Sequence, residues 1–296
     1  KKIVFDSFLR KYIALTDKTY KNEVELLQSS FDADAYCTGS DQVWNSHWNE
    51  GIDAPLYLSF ISGDKYKFSY SSSIGNSELD SKEMDTVFQY LKQYKHITVR
   101  ENTGVEIVKG MGIDDVQQLL DPTLMFDAQQ WSEYTSDRYK NKKYIVTYNL
   151  HHDKRIDEYA QKLARENNLK VYNISYNFHD IIRKGCLKWC PTVEEYLGLI
   201  RDAEFVIADS FHATAFSIIF NKKFVIIYPE QASSRLRSIL DLLDIQDRGF
   251  DTIPSTESML KEIDYVAVNK KIKEEQKKTH AYIDMIISEL GEHINE

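Results

Sequence analysis

Four short segments carry residue types that could do chemistry. The first is Ala208-Asp209-Ser210-Phe211-His212-Ala213-Thr214-Ala215-Phe216, which follows the apolar run 204–208 and opens a helical pattern. A turn from strand to helix presents free backbone N–H groups and the positive end of the helix dipole, which suit phosphate or carboxylate. Asp209 and Ser210 are candidate ligands there, and His212, in the first turn, is a candidate acid or base. A plainer reading stays open, with Ser210 or Asp209 as a helix cap and His212 as a packed ring.

The second segment is Gly39-Ser40-Asp41-Gln42-Val43-Trp44-Asn45, also directly after a strand pattern. As a substrate loop it would offer Gly39, Ser40, Asp41 and Asn45 to hydroxyls and Trp44 to the apolar face of a sugar. As a tight turn it would use Trp44 as a core plug. The third is Val99-Arg100-Glu101-Asn102, where Arg100 either meets an anion or pairs with Glu101. The fourth is Ser233-Ser234-Arg235-Leu236-Arg237, where Arg235 either reaches an anion or simply starts a helix.

No metal and no cofactor are expected. His151-His152 and Asp114-Asp115 are adjacent pairs whose side chains diverge, and Asp32-Ala33-Asp34 begins a strand instead of ending one. Cys186-x3-Cys190 has no second pair. Neither a G-x-G-x-x-G nor a Walker motif occurs.

These segments need elements to hold them at strand ends. Ala35–Thr38, Lys67–Tyr70 and His96–Val99 read as strands, with Met84, Val87, Phe88 and Leu91 on one helix face between the last two. The polar stretch 134–143 reads as a linker. Beyond it, strands at 144–148, 170–174, 204–208 and 223–228 alternate with helical stripes. One carries Ile156, Tyr159, Ala160, Leu163 and Ala164, one follows Pro191, and one ends near Phe220. Strand–helix alternation predicts parallel sheets covered by helices. The expectation is an α/β protein of two Rossmann-like domains, 1–138 and 139–268, facing a cleft. A closing helix over 269–296 completes it. Ligands in such sheets gather at the carboxyl ends of strands, so Asp41, Arg100 and His212 are expected to line one pocket.

Composition narrows the function classes. The 296 residues carry 37 Lys+Arg against 46 Asp+Glu, a net charge of −9, so nucleic acid is not an expected partner. With 42% apolar and 28% charged residues the chain is globular, long enough for about two domains. No apolar run approaches the roughly 20 residues of a membrane span, and no signal-peptide pattern opens the chain. Three cysteines, an odd number, fit a reducing cytoplasm.

Taken together, the chain resembles the polysaccharide pyruvyl transferase family. The matching stretches are Asp34-Ala35-Tyr36-Cys37-Thr38-Gly39-Ser40-Asp41-Gln42-Val43-Trp44-Asn45, Ile97-Thr98-Val99-Arg100-Glu101, Leu120-Asp121-Pro122-Thr123-Leu124, and Ala203 through Phe220, in the family's order. The resemblance runs from about residue 30 to about residue 250. It implies a GT-B-like fold and transfer of a pyruvyl group from phosphoenolpyruvate onto two hydroxyls of a sugar as a cyclic ketal. The acceptor would be a surface polysaccharide or its lipid-linked precursor, handled in the cytoplasm at the inner face of the membrane. The resemblance also implies a catalytic role for His212 and an anion-binding role for Arg100. Many members carry Arg two residues before that His, where this chain has Ser210. Members also begin with a Gly- and Asn-containing strand–loop–helix not found here, so the N-terminal domain is expected to lack its first strand and helix. Two further readings stay open: a GT-B-type glycosyltransferase using a sugar nucleotide, and a non-catalytic sugar- or anion-binding module.

Overall fold

The computed structural model describes residues 2–230 and 233–294. The chain forms two compact units, Asp17–Met125 with Lys270–Glu296, and Lys1–Thr16 with Phe126–Asn269. The division therefore falls near residue 125, and the polar stretch 134–143 lies inside the second unit. Its polarity has a local cause. Ser136 N–H donates to the Glu194 carbonyl at 2.9 Å, and Arg201 pairs with Asp137 at 2.7 Å. Gly198, in the helix Val193–Arg201, lets the Ser136 carbonyl approach so closely that a Cβ there would sit 2.3 Å from it. The segment is stitched to that helix, and Tyr139 buries its ring beside Tyr144 and Tyr172.

In the first unit β1 (Ala35–Thr38) pairs with β2 (Tyr66–Ser69), and β3 (Ile97–Val99) with β4 (Val116–Gln118), all parallel. Single bridges, Phe68 to His96 and Ser72 to Val99, join the two pairs. Between those bridges side-chain hydroxyls stand in for the ladder. Thr98 N–H donates to Ser69 Oγ at 2.8 Å, Thr98 Oγ1 donates to the Ser69 carbonyl at 2.8 Å, and Ser71 N–H donates to Thr98 Oγ1 at 2.9 Å. The long helix Tyr265–Ile294 covers this unit with its C-terminal part. Tyr282 and Ile286 pack against Tyr66 and Leu119, and Tyr282 Oη donates to the Ser69 carbonyl at 2.9 Å.

Trp44 belongs to the core of this unit. It is 1% exposed, stacks on Tyr57 at 5.5 Å, meets Tyr94 edge-on at 5.9 Å and donates from Nε1 to the Leu56 carbonyl. Buried rings of this kind hold a core by area and by their polar tip. No face of the indole is open to a sugar, so the substrate-platform expectation is corrected to a core plug.

The second unit has one parallel sheet of six strands: β5 (Tyr144–Tyr148), β6 (Lys170–Ser175), β7 (Cys186–Trp189), β8 (Phe205–Ala208), β9 (Lys223–Ile227) and β10 (Gly249–Phe250). Their order across the sheet is β7-β6-β5-β8-β9-β10. The chain starts in the middle, moves outward through β6 and β7, then returns to lay β8 on the other side of β5. This is the doubly wound order whose reversal point opens a crevice at the strand carboxyl ends. Caps fix where the flanking helices begin. Asp153 caps Lys154–Asn167, and Thr192 and Glu195 form a capping box on Val193–Arg201. The helix Phe211–Ile219 is buried at every residue except His212, so it lies under cover on all sides and opens only at its start.

Replacing Trp44 tests the core assignment. Trp44→Ala should destabilise the fold by ~3–5 kcal/mol, as expected for a fully buried large side chain, read by thermal or urea melts. An unchanged melt would return Trp44 to the list of surface ligands.

Candidate active site

The reversal point lies between β5 and β8, which pair with Tyr148 opposite Ala208. The chain leaving β8 begins with Asp209, whose side chain is 1% exposed. Its carboxylate accepts three hydrogen bonds from the loop leaving β5: Leu150 N–H to Oδ1 at 2.7 Å, and His151 N–H and His151 Nδ1 to Oδ2, each at 2.9 Å. That loop is braced further along. Asn149 and Asp153 exchange two hydrogen bonds at 2.8 and 2.9 Å, and Asp153 pairs with Arg155. The neighbouring His152 turns to a different carboxylate, with Nδ1 3.1 Å from Asp180. Asp209 is thus a buried brace between the two strand ends, not the substrate ligand its position suggested.

Ser210 is buried and extended at the N-cap of Phe211–Ile219, and its side chain makes no capping bond. His212 is the second residue of that helix. It is half-buried and meets Phe211 edge-on at 5.6 Å. Arg235 is half-buried in the first turn of Ser234–Leu242, which follows β9 in the same sheet. Its neighbour Arg237 lies over the Tyr228 ring and pairs with Asp251. Asp209, Ser210, His212 and Arg235 therefore all follow strand carboxyl ends of one unit.

The other expected residues lie in the first unit. Arg100, directly after β3, has a fully buried side chain. Its guanidinium donates to Asp121 at 2.8 Å and to Asp41 at 2.9 Å, and Glu101 lies 3.9 Å away. Burial works against its charge, but Asp121, Asp41 and Glu101 outweigh it and hold the guanidinium more firmly protonated than usual. One cation faces three carboxylates, so the group has a negative formal charge. The expectation of an anion site at Arg100 is corrected on that ground: in this state the residue holds acids in place.

Around it, Ser40 Oγ donates to Asp121 at 2.7 Å. Gly39 is exposed at the end of β1. Asp41 has a side chain 61% exposed and a backbone φ of +74°, an unusual conformation for a residue with a Cβ. Non-glycine strain of this kind tends to mark functional loops. Asn45 is 3% exposed, and its Oδ1 accepts from His47 N–H, Trp48 N–H and Asn76. Its amide shapes the turn, so its assignment to substrate is corrected. Glu101 plays a similar role, accepting from Ser73 Oγ and from the backbone of Ile74 and Gly75 through one oxygen.

Sequence reading passed over two members of these clusters. In sequence His151 reads as one of a diverging adjacent pair, and the signal for it is Asp209, a carboxylate that follows the strand beside β5. Asp121 sits at the end of the β4 segment, in the Leu120-Asp121-Pro122 motif.

A family model described as polysaccharide pyruvyl transferase matches residues 1–231. The chain belongs to the polysaccharide pyruvyl transferase family. It is accordingly a transferase. No curated protein matches it by sequence. Solved structures share its fold at low identity. A UDP-GlcNAc 2-epimerase from Neisseria meningitidis bound to UDP-GlcNAc superposes with a TM-score of 0.54 at 9% identity, covering 97% of this chain and 90% of that one. MnaA of S. aureus with UDP gives 0.52 at 10% identity, over 91% and 77%. UGT89C1 of Arabidopsis thaliana gives 0.51 at 10% identity, over 87% and 72%. These neighbours are GT-B-type epimerases and glycosyltransferases, and the family member described here has that α/β fold. Among the described residues no helix is long and apolar enough to cross a membrane.

The Arg100 cluster makes a stability prediction. Arg100→Met should cost ~3–5 kcal/mol, because it leaves the buried Asp121 carboxylate without its cation. Adding Asp121→Leu should recover part of that loss. Melts of the single and double variants check both, and a double variant no more stable than the single one would contradict the pairing.

Proposed function

We propose that this transferase moves the pyruvyl group of phosphoenolpyruvate onto two hydroxyls of a sugar, forming a cyclic ketal and releasing phosphate. The observation that carries the reading is His212. It is the single residue of a buried helix that is not itself buried, and it stands in the first turn after β8, at the reversal point of the sheet. Helix N–H groups there suit the donor's anionic groups, and Arg235 is the candidate cation from the same sheet end. Ser210 takes the position where many family members carry Arg, so backbone N–H groups have the larger share in holding the donor.

His212 is the general acid in this reading. It protonates the donor CH2, and the adjoining carbon becomes electrophilic and open to a sugar hydroxyl. Within the first unit, Gly39, Ser40 and Asp41 form a polar loop suited to hydroxyl groups, with Arg100 holding Asp41 in place. The acceptor is a surface-polysaccharide sugar or its lipid-linked precursor, met in the cytoplasm at the inner membrane face. No nucleic acid takes part, and the chemistry calls for no redox step.

A second reading has an observation of its own: two of the fold neighbours are described with UDP or UDP-GlcNAc. It makes the chain a glycosyltransferase with a sugar-nucleotide donor. A non-catalytic sugar- or anion-binding module predicts binding without turnover. Labelled donors separate the three.

Phosphate release from phosphoenolpyruvate across a panel of sugar acceptors is the direct test. His212→Ala and His212→Gln should each lower turnover by about 10²–10⁴ while folding stays nearly intact. Near-normal release from His212→Gln, which hydrogen-bonds but delivers no proton, would end the acid assignment.

A further inference from the structure

The sheet's reversal point holds a second imidazole that the reading above does not use. His151 leaves β5, the strand hydrogen-bonded to the one that delivers His212. Neighbouring strands lie about 4.8 Å apart. The ring is fixed rather than loose. Nδ1 is 2.9 Å from Asp209 Oδ2, and the same oxygen accepts the His151 backbone N–H, so ring and backbone are held by one carboxylate. An ionised carboxylate only accepts, so Nδ1 is the donor and carries the hydrogen. In the neutral imidazole Nε2 then keeps its lone pair. It makes no hydrogen bond to any described residue, and the side chain is 42% exposed. Asp209 itself has almost no contact with solvent. A buried carboxylate that fixes the tautomer and orientation of an accessible imidazole is the arrangement that makes a histidine a base.

We propose that His151 is a second catalytic residue, the base that takes the proton of the attacking sugar hydroxyl, with Asp209 as its positioning residue. This rests on the pyruvyl-transfer reading above. In the first step the His212 proton goes to the CH2 of phosphoenolpyruvate, the hydroxyl oxygen forms a bond to C2, and the hydroxyl proton goes to His151 Nε2. In the second step the C2–O bond to phosphate breaks and its electron pair leaves with phosphate, which takes the proton held on His151. The second hydroxyl bonds to C2 and gives its proton to His212. The ketal and hydrogen phosphate are formed, and both histidines return to their starting states. Asp209 holds the His151 ring at Nδ1, which leaves Nε2 as the atom that takes the hydroxyl proton.

The test uses the whole chain. His151→Ala should release phosphate about 10²–10⁴ more slowly than wild type, with only a modest drop in the melt, because the buried Asp209 carboxylate loses one donor and keeps two backbone N–H groups. Imidazole added to the solution should restore part of the rate, which a merely structural role would not allow. His152→Ala, which removes the neighbouring ring bound to Asp180, should leave turnover near wild type. An active wild type with near-normal His151→Ala overturns the base and leaves pyruvyl transfer standing. So does a slow His151→Ala variant that imidazole fails to rescue. A wild type that releases no phosphate from phosphoenolpyruvate with any acceptor overturns the pyruvyl reading, and the base role with it.

Discussion

The carboxylate of Asp209 is the constraint on which the second unit's strand ends depend. A buried carboxylate is tolerated only when its lone pairs are met by donors. Asp209 meets that demand with two backbone N–H groups and one imidazole, all from the loop after β5. The bond runs across the reversal point of the sheet, where the doubly wound order opens a crevice. The loop after β5 therefore takes its shape from a residue of β8's turn. His151 is held by that carboxylate, and His212 follows it in the first turn of the helix Phe211–Ile219 of the same unit.

The first unit uses charge in a different way. Arg100 is surrounded by Asp41, Asp121 and Glu101, and its role is to hold acids at strand ends. Asp121 is fixed on both sides, by Arg100 and Ser40 through one oxygen and by Thr123 through the other. Asp41 is the exposed member, held by Arg100 in a left-handed backbone conformation. An exposed carboxylate anchored in this way suits sugar hydroxyls better than phosphate, which it would repel. In the proposed transfer, an anionic donor is better served by helix N–H groups of the second unit. The two units thus present different chemistries.

Much of this was legible in the sequence. The strands at 35–38, 144–148, 170–174 and 204–208 stand out because each is a short stretch rich in apolar and aromatic residues between polar segments. Placing Asp209, Ser210 and His212 after one of them followed from the alternation of strand and helix. Among the short elements the three-residue β3 was legible and others were not. Val116–Gln118 and Gly249–Phe250 have three and two residues, too few for a periodic pattern, and Cys186–Trp189 is a half-exposed edge. The segment 134–143 read as a linker because it is polar, but its polar groups bond to the helix Val193–Arg201. Trp44 and Asn45 read as ligands because sequence does not reveal which way a turn's side chains face. The His151–Asp209 pair lies 58 residues apart in the chain. Only the neighbouring of β5 and β8 brings it together.

The most direct measurement follows the ring nitrogens of the eight histidines by ¹H–¹⁵N correlation spectra as phosphoenolpyruvate is added to the wild-type chain. Binding of the donor at the reversal point should perturb the rings of His212 and His151 at the same ligand concentrations. The ring of His96, engaged by Glu289 in the other unit, should be left alone. Saturating binding that leaves both His212 and His151 unmoved would contradict the account, because the donor would then lie away from the strand ends that the Asp209 brace organises.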